Sequence, residues 1–183
     1  QAGERLVIDC WAQRLDSRLD PVLVLYDAAG REIDRSHDAN RRDPFLELTA
    51  PANGDFVVQV RDLLYAGSGE YFYRLTLSAG PRVDFVFPPA GLPGTKGRFQ
   101  VYGRNLPGGE PAREVALAGK PLERVEVEIE VPAEGAAPPA AFAGWPMDPR
   151  GAAFETFAWR APPERGLPDP LLIGIAAAPV VLE

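Results

Sequence analysis

The chain's one histidine, His37, stands between Ser36 and Asp38 in the polar stretch Ser36-His-Asp-Ala-Asn-Arg-Arg-Asp43. Serine, histidine and aspartate are the parts of a nucleophilic triad. A triad, however, needs its side chains to converge from separate elements, and neighbours along one loop do not do so. The expectation is therefore that no residue is catalytic and that His37 is an exposed loop residue capping a turn. One His and one Cys cannot supply a typical four-ligand structural zinc site. No glycine loop followed by a helix is present to cradle phosphate, and no spacing singles out a carboxylate pair for glycoside hydrolysis. The set Asp16, Asp20, Asp27, Asp34, Asp38, Asn40 and Asp43 offers the hard oxygen ligands that calcium takes, with Asp16, Asp20 and Asp38 as the candidates. It lacks the Asp-x-Asp-x-Asp-Gly loop with a later Glu. The simpler role is to hydrogen-bond nearby main chain where loops meet strands, with Asp20 bracing the turn before Pro21. The reading is no cofactor and no metal, with a structural calcium as the alternative.

Aromatic side chains offer a second kind of chemistry, contact with a ligand. Trp11, Tyr65, Phe72, Trp145 and Trp159 would make a platform if several were exposed on one face. Trp145, in a Pro/Ala/Gly-rich loop spanning residues 133–150, is the ligand-contact candidate. The structural alternative is that such a Trp fills the gap between two sheets or domains.

These residues must be positioned by strands. The chain is organised around Asp16–Gly30, where a polar loop feeds the apolar run Val22-Leu-Val-Leu-Tyr26 and then turns at Asp27-Ala-Ala-Gly30. Five apolar residues are too few for a typical helix and suit a strand buried on both faces. Arg5–Gln13 alternates, with Leu6, Ile8, Cys10 and Ala12 on one face. Residues 31–35 complete a hairpin with the central strand. Phe45–Thr49 and Asp55–Asp62 are further strands, the latter with Phe56, Val58 and Val60 inward. Glu70–Ser78 places Tyr71, Tyr73, Leu75 and Leu77 on one face, so Tyr73 is expected in the core. Ala79-Gly80-Pro81 is the domain boundary, because Pro cannot donate to a ladder and Gly has no side chain to pack. Beyond it, strands are read at 83–87, 98–103, 114–118, 124–131, 153–160 and 171–176. In Arg124–Val131, Glu126, Glu128 and Glu130 alternate with four β-branched residues. That row reads as a solvated face that also discourages edge-to-edge pairing.

Composition agrees with an all-β chain. The 20 Pro and 18 Gly of its 183 residues fall between apolar runs without a collagen period, as turn punctuation. The formal net charge of −7 is spread along the chain with no basic tract, which argues against nucleic acid or an anionic membrane as partner. No stretch approaches the ~20 apolar residues of a membrane span. The lone Cys10 excludes an internal disulfide and reads as a buried, inert thiol. The chain opens on Gln-Ala-Gly-Glu-Arg and closes on Pro-Val-Val-Leu-Glu, and reads as a piece of a longer polypeptide.

Residues 1–80 resemble the bacterial pre-peptidase C-terminal domain. The likeness is carried by Gly3-Glu-Arg-Leu-Val-Ile, Asp16-Ser-Arg-Leu-Asp-Pro-Val-Leu, Tyr26-Asp-Ala-Ala-Gly30, Ala50-Pro-Ala-Asn-Gly-Asp-Phe and Tyr71-Phe-Tyr-Arg-Leu-Thr-Leu. It implies a jelly-roll-like β-sandwich used as an accessory module in exported bacterial proteins. Some members bind calcium through an acidic segment ahead of the first strand, which this chain lacks. Residues 81–183 resemble an immunoglobulin-like module of the IPT/TIG kind, on Val86-Phe-Pro-Pro-Ala-Gly and Arg98-Phe-Gln-Val-Tyr-Gly-Arg-Asn-Leu-Pro-Gly. The expectation is two β-sandwich modules, 1–80 and 81–183, with no enzymatic activity. They would act as an accessory, interaction or spacer piece of a secreted, periplasmic or cell-surface bacterial protein. Their partners would be the other domains of that polypeptide, or an extracellular protein or polysaccharide. The alternative is a dedicated carbohydrate- or extracellular-protein-binding module.

Overall fold

The computed structural model describes residues 1–39, 42–117, 119–133, 155–167 and 170–176. Among them the chain is all-β, with single 3-10 turns at Gln13–Leu15 and Pro163–Arg165. No helix among them is long and apolar enough to cross a membrane. Two compact units divide the chain, Gln1–Gly80 and Pro81–Glu183.

The first unit holds β1 (Arg5–Trp11), β2 (Pro21–Tyr26), β3 (Glu32–Ser36), β4 (Phe45–Thr49), β5 (Val57–Asp62) and β6 (Arg74–Ser78). They form two antiparallel three-stranded sheets, β4-β1-β6 and β3-β2-β5. The sheets share one core. Ile8, Cys10, Leu46 and Leu48 from the first meet Leu23 and Leu25 from the second, with Phe56, Val58, Val60 and Leu75 packed around them. Val22 and Val24, on the other face of β2, are buried as well, so that strand is covered on both sides. Each such side chain contributes about 1.5–3 kcal/mol by leaving water. The β2–β3 hairpin forms with its register shifted at Tyr26.

Two strand boundaries differ from the sequence reading, and both differences matter for the site. β1 stops at Trp11, because Asp43 takes the N–H groups of Ala12, Gln13 and Arg14 and turns the chain into the 3-10 segment. β6 starts only at Arg74, where its pairing with Trp11 begins, so Tyr71, Phe72 and Tyr73 lie in a loop. Tyr73 is 50% exposed and not a core residue, and Leu77 is also exposed. β6 is the edge of its sheet, where covering neighbours exist on one side only; Leu75 alone of that alternating set reaches the core.

The second unit holds β7 (Arg82–Phe87), β8 (Ala90–Gly91), β9 (Lys96–Arg104), β10 (Glu110–Leu117), β11 (Lys120–Glu130), β12 (Thr156–Trp159) and β13 (Leu171–Ile175). Its sheets run β10-β11-β9-β7 and β12-β13-β8, with β13 and β8 parallel. Phe99, Val101, Val127, Ile129 and Val131 meet Phe157, Leu171 and Ile173 in the core, and Trp159 packs at its margin. β11 is an interior strand, so its acidic row does not guard an edge. Glu126, Glu128 and Glu130 stand opposite Gln100, Arg98 and Lys96 of β9. Gln100 donates to Glu126 at 2.9 Å, and Lys96 lies 3.4 Å from Glu130, so the row forms a cross-strand polar ladder. Gly103 is required where β9 passes β7, since a Cβ there would sit 2.0 Å from the Arg82 carbonyl oxygen.

Candidate functional site

β5 ends in Asp62, and the loop that follows is wrapped around that carboxylate. Asp62 Oδ1 accepts the N–H groups of Leu64 and Ala66, each at 2.9 Å, while Oδ2 accepts that of Asp20 at 3.1 Å. The carboxyl is held below its ordinary value, first by the Ala66 N–H, then by those of Asp20 and Leu64 and the neighbouring Arg61 charge, against the opposing effect of burial. Leu63 N–H donates to the Asp20 carbonyl at 2.8 Å, and Tyr65 N–H to the Asp62 carbonyl at 3.2 Å. The wrapping forces Tyr65 to φ +58°, the left-handed region. A bulky aromatic there is strained, and strain of this kind gathers at ligand clamps. It turns the Tyr65 ring outward: the residue is 77% exposed, with the Arg61 guanidinium 4.6 Å from the ring centre.

Tyr65 forms one wall of a cleft of about 320 Å³ whose other aromatic walls are Tyr71 and Tyr73. Val60 and Leu19 supply apolar lining, and Ala66-Gly67-Ser68 supplies a stretch of small side chains. The far end of the loop is fastened too. Glu70 O accepts Ser17 Oγ at 3.2 Å and Arg18 N–H at 3.0 Å, and Tyr71 N–H donates to Ser68 O at 3.1 Å. The Arg18–Glu70 ion pair is exposed and adds about 0–1 kcal/mol. Among the described residues, no hydrogen bond engages the phenol oxygens of Tyr65, Tyr71 or Tyr73, although Tyr26 uses its own on Gln59.

The other sequence candidates fall in different places. His37 is half-buried, with Nε2 2.9 Å from Asp20 Oδ1 and Nδ1 3.5 Å from Asp38 Oδ2. The potential ligand atoms of Asp20, His37 and Asp38 lie within 4.8 Å of one another. Each carboxylate faces a different ring nitrogen, and Asp20 Oδ1 also accepts Gln13 Nε2 at 2.8 Å. The group thus ties the loop after β1 to the loop after β3, and the Asp20 carboxylate is held by the side chains of Gln13 and His37, not by nearby main chain as the sequence suggested. Asp16, exposed in a left-handed cap after the 3-10 turn, is not part of that group. Asp43 is fully buried on the main chain and on Arg14 Nε at 2.7 Å. Ser36 Oγ is buried and accepts Phe45 N–H, so it is not directed as a nucleophile at His37. Trp11 is clasped between the guanidinium groups of Arg14 and Arg74 at 4.2 and 4.5 Å. Trp145 and Asn40 lie outside the described residues.

Of the four described aromatics singled out from the sequence, Trp11, Tyr65, Phe72 and Trp159, only Tyr65 lines the cleft. Tyr71 and Tyr73 were hidden by the apparent alternation of Glu70–Ser78. The signal that marks them is three Tyr within nine residues of a stretch that also carries Gly67 and Gly69. In comparisons with known proteins, no family model, no curated protein and no solved structure matches this chain.

Proposed function

We propose that this chain is a non-catalytic accessory module of a larger exported bacterial polypeptide, and that its first unit binds a partner through the tyrosine-lined cleft. Its residues 1–80 are assigned to a jelly-roll-like sandwich of the pre-peptidase C-terminal kind, and residues 81–183 to an immunoglobulin-like IPT/TIG sandwich. The cleft is the observation that carries the reading. Three tyrosines line it, and the loop bearing Tyr65 is held in a strained conformation by a carboxylate it encloses. Strain at an exposed side chain is a feature that gathers at ligand clamps, and here it presents the Tyr65 ring to solvent. A catalytic reading finds less support: His37 is not among the residues lining the cleft, and its neighbour Ser36 is engaged by main chain. The function is positional. Packed sheets hold the cleft in place beside the other domains of the polypeptide, in a secreted, periplasmic or cell-surface setting.

Retention on insoluble extracellular polymers tests this. The whole chain, Tyr65→Ala and Tyr73→Ala are passed over a panel of polysaccharide and structural-protein matrices. Wild type is expected to be held by at least one matrix, and both variants to elute early while melting at the wild-type temperature within a few degrees. Free elution from every matrix, or retention indifferent to both substitutions, overturns the proposal.

A further inference from the structure

We infer that the ligand of the Tyr65–Tyr71–Tyr73 cleft is a neutral saccharide chain, an inference that rests on the binding-module reading above. Charge is the first reason. The Asp62 carboxylate is engaged by three N–H groups, and the Arg61 guanidinium by the Tyr65 ring and, at 3.1 Å, by the Asp62 carbonyl. Arg61 and Asp62 bring one positive and one negative charge to the lining, each already engaged, so the cleft carries no formal net charge to select an ionic ligand. What it presents is aromatic faces and hydroxyl groups side by side. A pyranose ring has the matching surface: a C–H face that lies on an aromatic ring, and an edge of hydroxyl groups that exchange hydrogen bonds with phenols. Tyr65 is 77% and Tyr73 50% exposed, and the phenol oxygens of all three tyrosines are unengaged among the described residues. Space is the third reason. A Cβ built on Gly67 meets nothing within 4 Å, so the Ala66–Ser68 main chain is open to a ligand's hydroxyls. Rigidity completes the argument. The loop is fixed at Asp62 at one end and at Glu70 at the other, so little ordering is left to oppose binding. A polyproline helix also docks on aromatic rings, but its main chain offers only carbonyl acceptors and no donor to the phenol oxygens.

The test uses the whole 183-residue chain, ¹⁵N-labelled, titrated with cellohexaose, chitohexaose, xylohexaose and maltohexaose, and with decaproline as comparator. At least one hexasaccharide is expected to shift the amide resonances of Leu64, Tyr65, Ala66 and Gly67. Tyr65→Gly, which removes the ring and accepts the left-handed backbone without strain, should keep the fold and weaken that binding about tenfold. Tyr65→Phe, which keeps the ring, should lose less. If decaproline moves these amides and no saccharide does, the ligand class is wrong while the binding module stands. If no probe moves them, and the polymer matrices also fail to retain the chain, both readings fall. Saccharide binding that Tyr65→Gly leaves intact removes the cleft as its site.

Discussion

Asp20 and Asp62 are joined twice over: the Asp20 N–H donates to Asp62 Oδ2 at 3.1 Å, and the Asp20 carbonyl accepts from Leu63, the residue after Asp62, at 2.8 Å. One carboxylate thereby fixes the end of β5, the approach to β2 and the Tyr65 loop. Asp62→Ala should release that loop and leave the sheets paired. The measurement is amide hydrogen exchange. Exchange at Leu64 and Ala66 should approach that of an open loop, while Leu23 and Leu25 in β2 stay protected. Protection at Leu64 and Ala66 equal to wild type would show that the carboxylate does not hold the loop.

Acid should weaken the same connection. Asp62 is depressed first by the Ala66 N–H, and Asp27 first by that of Arg31. A carboxylate whose folded pKa lies below its unfolded value stabilises fully above the unfolded value and loses that contribution as pH falls through the folded one. The unfolding midpoint in urea should therefore be unaffected by these two groups from pH 7 to pH 5, and fall below the ordinary carboxylate value of 3.8. Asp62→Asn should flatten part of that fall. A variant curve parallel to wild type down to pH 2 would remove Asp62 from the account.

Much of the fold was legible in the sequence because burial on a pleated strand leaves a period. Phe56, Val58 and Val60 inward with Val57 outward, and the Val125–Val131 alternation, are direct consequences of side chains pointing to opposite faces. The same rule misled at Tyr73. Alternation records which residues could share a face, and it does not record where the neighbouring strand stops. β1 ends at Trp11, so the Tyr71–Tyr73 segment has no ladder to join. The candidate site was less legible still. Asp62 closes a strand pattern and reads as punctuation. Its work, three main-chain N–H groups from two loops, depends on Asp20, which lies 42 residues away in sequence. The left-handed backbone at Tyr65 leaves no trace in residue type, since such positions usually carry Gly or Asn.

Cys10 should be inert. It is fully buried, and burial first, then the negative charges of Asp43 and Asp9, push its thiol up to about 12. The thiolate is the reactive form, so at pH 8 very little of it exists in the folded chain. A disulfide reagent such as DTNB should release no thiol colour over an hour from the native protein and one equivalent in denaturant. Rapid native labelling would mean that the β1–β6 edge opens far more readily than its packing indicates.

The second unit carries its own electrostatic risk in Arg104, which is fully buried and paired with Asp84, itself 4% exposed at the side chain. Arg104 Nη2 also donates to the Leu117 carbonyl at 3.2 Å, and Arg82 Nε lies 3.3 Å from Asp84, so the pair joins β7, β9 and β10. Removing one member of a buried pair leaves the other charge in a poorly solvating interior, which costs about 3–5 kcal/mol. Replacing both by apolar residues removes both desolvation penalties together. Asp84→Leu or Arg104→Met alone should therefore destabilise the unit by about that amount, and the double variant should recover most of the loss. The check is urea unfolding followed by the amide resonances of Phe99, Val101 and Val127, which report this unit's core alone. If the losses of the two single variants simply add in the double, the buried charges do not act as a pair.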